Sequence, residues 1–319
     1  MVPPDNGSRR RGGHLDDTVR VNRPVKKRGR FGVIVLTVAG VAVALVAAVL
    51  GWVAMRPAPF QLASEGQIFR HVSPHFTVFR FRDDPLVLVV DCPDLHAQGL
   101  MFDRVAALIE KADAPKDRVL SQAAFKAKLA AVDLTIGTYY YGDDYPAHAL
   151  RQFFRLVRAE HLTLNLQERR LRAIAAQAGF LTPGANGAVI SIPRAGPGHR
   201  VGWRARAVIL RHELSHGAYF TNPVYRAFVH RFYNTVMTAA ERAAFQDFLV
   251  RQGYDADYRG LIVNETLAYL IFTRDKDFFR AEAVGLPRAT ITALRAQFVA
   301  TMPDFWLKPL ATAPLPLKG

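Results

Sequence analysis

The chain has 319 residues, 50% of them apolar, 22% charged and 11% aromatic, which excludes a mainly disordered or fibrous protein and leaves enough apolar residues for a sizeable core. The single cysteine, Cys92, excludes an internal disulfide framework and a cysteine-based zinc cluster. The 42 Lys+Arg against 27 Asp+Glu give a formal charge of +15, so nucleic acid, a membrane surface or an acidic polymer is a candidate partner until that charge is located.

Residues 1–30 carry nine basic and three acidic side chains, +6 of the total, with Pro, Gly and Asn and no apolar period. They read as a basic disordered tail. Phe31 to Met55 follows as 25 residues without a charge. At about 1.5 Å per residue this run is long enough to cross a hydrocarbon core of about 30 Å, and Trp52 falls where an interfacial aromatic belongs. It is longer than the roughly 7–15 apolar residues of a cleaved signal peptide. The expectation is a single-pass anchor in the cell (inner) membrane. The basic tail is then cytoplasmic, and the remaining residues form an extracytoplasmic, periplasmic domain. Read this way, the basic lead is a topology signal and calls for no nucleic acid.

Residues 56–66 read as a Pro/Ala linker, and 67–319 as one domain. Runs 75–82 and 85–93 look like two strands. Helical spacing covers 94–112, Ser121 opens a helix to 131, and 134–141 (LTIGTYYY) is aromatic and β-branched enough to predict a strand with one wet face. Residues 142–146 (GDDYP) predict a turn. Helices are expected at 147–160 and 166–178, with a short apolar strand at 188–193. From Val201 the chain is nearly all helical, at 203–219, 223–236, 239–252, 258–273 and 288–301. Thr238 and Glu241 form a capping box, and a loose Pro-rich tail begins at Pro303. The fold class expected is α+β, with a mixed α/β lobe followed by a mainly helical lobe.

The segment RAVILRHELSHGAYFTN contains His212-Glu213-Leu214-Ser215-His216. On a helix, histidines at i and i+4 lie one above the other, so both imidazoles can ligate one zinc ion, while Glu213 points about 100° round the axis and can act on a water without becoming a ligand. A catalytic zinc site needs three protein ligands and an open fourth position. Arg211 is a departure, since peptidase helices of this type usually carry an uncharged residue there. No His follows at metzincin spacing. Downstream, Val263-Asn264-Glu265-Thr266-Leu267-Ala268 resembles the Asn-Glu-x-x-Ala element of the gluzincin metallopeptidases.

That resemblance, over residues 208–273, implies Zn²⁺ held by His212, His216 and Glu265, Glu213 as the general base, and a peptide or protein substrate. Asp255, Asp257 and His230 are rival third ligands. The carboxylate that many gluzincins place after the ligand Glu is missing, so Asp257 or a backbone carbonyl is expected to orient a zinc histidine. The resemblance also implies an edge strand for the substrate backbone, for which residues 187–191 are the best-placed candidate. Tyr219, Tyr258, Tyr269 and His230 are candidate oxyanion donors. Cys92 reads as a buried small residue. The alternatives are a zincin-like domain that binds an envelope partner or polymer without turnover, or a zinc amidase acting on cell-wall material.

Overall fold

The computed structural model describes residues 58–196 and 200–316. The basic tail and the apolar run 31–55 lie outside them, and among the described residues no helix is long and apolar enough to cross a membrane. Five strands make one sheet: β1 (Gln61–Ala63), β2 (Thr77–Phe81), β3 (Val87–Cys92), β4 (Asp143–Pro146) and β5 (Ala188–Pro193). Their order is β1-β2-β3-β5-β4, with β1 parallel to β2, β3 parallel to β5, and the pairs β2–β3 and β4–β5 antiparallel. β1 falls inside the segment read as a linker.

The continuous apolar runs of β3 and β5 follow from burial on both faces. Leu88, Val90 and Cys92 face a cluster built with α2 (Leu95–Ile109), α4 (Ala147–Ala159) and α5 (Leu166–Gln177). Val87, Val89, Ile190 and Ile192 face α1 (Glu65–Arg70) and α6 (Trp203–Thr221). α3 (Gln122–Ala131) packs Phe125 and Leu129 beside α2. Asp94, Ser121, Asn165 and Thr238 each accept a backbone N–H at the start of a helix, Ser121 and Thr238 where the sequence places helix starts. The C-terminal lobe is helical: α7 (Pro223–Arg231), α8 (Ala239–Arg251), α9 (Arg259–Leu267), α10 (Arg288–Thr301) and α11 (Leu307–Leu310). A π-helical turn, Phe232–Val236, follows α7, and a second, Ala268–Phe272, follows α9. The described residues from 59 onward form one compact unit of α+β structure.

Three expectations are corrected. Residues 134–141 are a loop, because Gly137 turns with φ of +93° and Thr138 closes on Thr135, which donates its N–H to Thr138 Oγ1 at 2.9 Å. The expected turn at 142–146 is instead the edge strand β4. Its polarity misleads because Asp143 is satisfied internally, by Ser191 Oγ at 2.8 Å and Gln98 Nε2 at 3.1 Å. The C-terminal tail is not loose: Arg211, buried on α6, donates to Ala313 O (2.7 Å), Pro314 O (3.1 Å) and Glu65 Oε1 (2.7 Å). That network accounts for a charged residue just before His212.

A second arginine of α6 anchors the helix to the sheet. Arg206 is fully buried and holds both oxygens of Asp91 on β3 at 2.8 Å, with four carbonyls from Ile68, Phe69, His71 and Pro193 around it. A buried guanidinium is tolerable only when its donors are used in this way.

Candidate metal centre

α6 brings the imidazoles of His212 and His216 together one turn apart, with their Nε2 atoms 3.0 Å from each other. α9 packs against α6 and adds Glu265, whose Oε2 is 3.6 Å from His212 Nε2 and whose Oε1 is 3.6 Å from His216 Nε2. A tetrahedral ion with ligands at about 2.1 Å separates its donors by about 3.4 Å, and these three distances bracket that value. All three side chains are largely buried.

The donor set suits a cation in its proton placement as well. Burial pulls His212 down to about 3 and His216 to about 4, Glu265 opposing the shift in the second. Both rings are therefore neutral near pH 7. Thr273 donates its hydroxyl to Ala268 O at 3.2 Å, so its oxygen accepts from His212 Nδ1 at 2.7 Å. This fixes the His212 proton on Nδ1 and leaves Nε2 as a lone pair facing the cluster. The π-helical turn ends at Thr273, whose N–H reaches back five residues to Ala268 O, and so places this hydroxyl. Asn264 lies against His216, although Nδ1 of that ring has no partner of good geometry. Glu265 is steadied by the Tyr254 hydroxyl, and its Oε2 is buried without a hydrogen bond.

Glu213 stands beside the cluster. Its carboxyl is buried, its Oε2 has no hydrogen-bond partner, and burial raises its pKa well above the usual range, with the charges of Asp143, Glu265 and Glu110 adding to the shift. Gly142, just before β4, makes room for it: a Cβ there would lie 2.6 Å from Glu213 Cδ and 2.9 Å from Cγ. Alternation along β4 sends Asp143 and Tyr145 to the α2 side and Asp144 to the α6 side. Asp144 Oδ2 ends 3.7 Å from His216 Nε2, and the donor atoms of Asp144, Glu213 and His216 all lie within 4.8 Å of one another. Burial, then the Glu213 charge, raises the Asp144 pKa.

No family model, curated protein or solved structure matches the chain.

The rival ligands lie elsewhere. His230 Nε2 is 2.7 Å from the Tyr219 hydroxyl, Asp255 faces Lys116 at 3.5 Å, and Asp257 is exposed. Of the tyrosines, Tyr269 packs edge-on against His212 at 4.9 Å between ring centroids. Tyr219 and Tyr258 line a cavity on the Asp144 side. The strand at 187–191 is not an edge: β5 pairs on both sides, and β4 holds that position. Asp144, Thr273 and Gly142 were not singled out from the sequence, because their roles depend on strand parity, a π-turn and a close approach that spacing along the chain does not reveal.

Proposed function

We propose that the chain is a zinc-dependent metallopeptidase of gluzincin type. The reading is carried by one observation: the convergence of His212, His216 and Glu265 at ion-ligand spacing with Glu213 beside them. Zinc, when bound, acidifies water and polarises a carbonyl oxygen. The protein does the rest. His212 is held in the ligating tautomer by Thr273. Glu213 takes a proton from water at Oε2 and passes it to the leaving nitrogen, a task suited to a carboxyl whose proton affinity burial has raised. β4, the buried strand at the sheet edge beside α6, is the position where an extended peptide would add to the sheet. Membrane anchoring and an extracytoplasmic domain are proposed from the tail and the apolar run 31–55.

The test is zinc content measured together with hydrolysis of an internally quenched peptide library. One zinc per chain that is lost in His212→Ala, but kept in Glu213→Gln with hydrolysis abolished, supports the enzyme. Unchanged hydrolysis in Glu213→Gln refutes it. A second reading, a metal-binding domain without turnover, rests on Asp144. With Glu213 and His216 it forms a second group of donors within 4.8 Å of one another, in which Glu213 would be a ligand rather than a base.

A further inference from the structure

Two cavities flank the histidine cluster. One, of about 220 Å³, is lined by His212, Glu213, Tyr269 and Lys111. The other, of about 290 Å³, lies on the Asp144 side, with Glu110, Asp144, Asp255 and Tyr258 among apolar walls such as Leu108 and Phe220. It reaches the surface at Tyr258, which is 45% exposed. At this volume it falls just below the roughly 300–1,000 Å³ of sites for drug-sized molecules, and suits a single side chain or chain end.

Its two inner acids touch no countercharge, although the charges of Lys111 and of Lys116, which is on the cavity wall, act on Glu110 from farther away. Glu110 is 4% exposed and Asp144 9%. Among the described residues neither carboxylate has Lys or Arg within 4 Å; Asp144 faces His216 Nε2 at 3.7 Å, and the Tyr140 hydroxyl beside Glu110 makes no hydrogen bond of good geometry. Nearby cations are engaged elsewhere. Lys116 faces Asp255 and donates to Lys111 O at 2.8 Å. Lys111 Nζ donates to Gln252 O at 2.9 Å and lies over the rings of Tyr139, Tyr140 and Tyr254. His148 is driven toward neutrality by burial. Desolvated carboxylates with no partner are costly, and a cation entering the cavity offsets that cost. A metal ion is not what this wall fits, since among the described residues no group of donors converging within 4.8 Å includes Glu110. An ammonium or guanidinium, with several N–H donors spread over its head, can reach both acids.

We propose that this cavity is a subsite for a cationic group, an ammonium or guanidinium on a short carbon stem, bound by Glu110 and Asp144 next to the metal centre. The peptidase reading supplies the reaction, but the cavity's ligand does not depend on turnover. The probe is n-butylguanidinium, with n-pentanol as its neutral counterpart, titrated calorimetrically into the full-length zinc-loaded protein. The result expected is binding of the guanidinium at least tenfold tighter than the alcohol, and a tenfold loss in Glu110→Gln and in Asp144→Asn with zinc content and melting temperature retained. Equal binding of the two probes overturns the proposal. So does loss of zinc in Asp144→Asn, which makes Asp144 a metal donor. Peptides carrying Lys or norleucine, and free or acetylated amino termini, then separate the sources: a preference for Lys assigns a side chain, and a preference for the free terminus an α-amine. If butylguanidinium binds as expected and no peptide is cut, the subsite stands and the peptidase reading fails.

Discussion

Gly142→Ala isolates the position of the base from the binding of the ion. The new methyl would sit 2.6 Å from Glu213 Cδ and 2.9 Å from Cγ, where ordinary carbon contacts begin at about 3.5 Å. Relief requires the carboxyl to retreat by about 1 Å. Misplacing a catalytic group by 1 Å costs on the order of 100-fold in rate, within the 10²–10⁴ that general acid–base catalysis contributes. The three atoms that a Cβ at Gly142 meets first all belong to Glu213, so zinc should stay at one per chain. The assay is kcat/KM on a quenched peptide cut by the wild type, with zinc measured on the same samples. Gly202→Ala, whose added methyl meets nothing within 4 Å, is the control. Full zinc with about 100-fold less activity supports the geometry. Activity within twofold of wild type shows that Glu213 does not work from this position, and the assignment of the base is then wrong.

Thr273→Val removes the acceptor of His212 Nδ1–H without changing shape, and should weaken zinc binding about 10–100-fold in a chelator competition; unchanged affinity makes the contact incidental. Arg206→Met leaves Asp91 buried with only His71 as a partner and should cost about 3–5 kcal/mol in denaturant unfolding, while a loss under 1 kcal/mol contradicts the anchoring role. Burial raises Asp143 from 3.8 to about 7 against hydrogen bonds from Ser191, Gln98 and Tyr145, so the folded state holds this proton more tightly than the unfolded chain. Its contribution to stability is therefore full below about pH 4 and lost as pH rises to about 7; Asp143→Asn should flatten that decline in the melting temperature of metal-free protein, and an unaltered slope refutes the shift. Arg211→Leu should release the C-terminal segment to carboxyl-terminal proteolysis, and equal resistance would show that other contacts hold it.

The helices were legible in the sequence because local signals mark them. Asp94, Ser121, Asn165 and Thr238 cap helices by bonds that span three residues, whereas α6 and α9 are buried nearly all round and show no one-sided apolar period. His212, Glu213 and His216 were legible for the same reason, since one helix sets their relation. Glu265 needed a resemblance, because its approach depends on how two helices pack across the two that intervene. β4 was illegible. A four-residue strand that begins with two aspartates reads as a turn until Ser191 and Gln98, 48 and 45 residues away, are seen to satisfy the first. The tyrosine run failed in the opposite direction: its residues favour a strand, but Gly137 and the Thr135–Thr138 closure break the backbone.

The partner of His212 follows from the charges around it. Glu110, Asp143, Asp144, Glu213 and Glu265 are all buried near the cluster, and each is shifted upward by burial, most with further help from its neighbours. A further carboxylate behind His212 would add another desolvated negative charge to a region where like charges already oppose ionisation. A hydroxyl fixes the same tautomer with no charge, and the π-turn delivers it. The cost is a less electron-rich imidazole than a carboxylate would give. Metal affinity at this centre should accordingly depend more on Glu265, and on the cation relieving the surrounding acids, than on the push from behind the histidine. Thr273→Asp tests this. If a carboxylate were merely absent by chance, the substitution would tighten zinc binding. If the acid cluster decides, it destabilises the metal-free protein and leaves affinity no better.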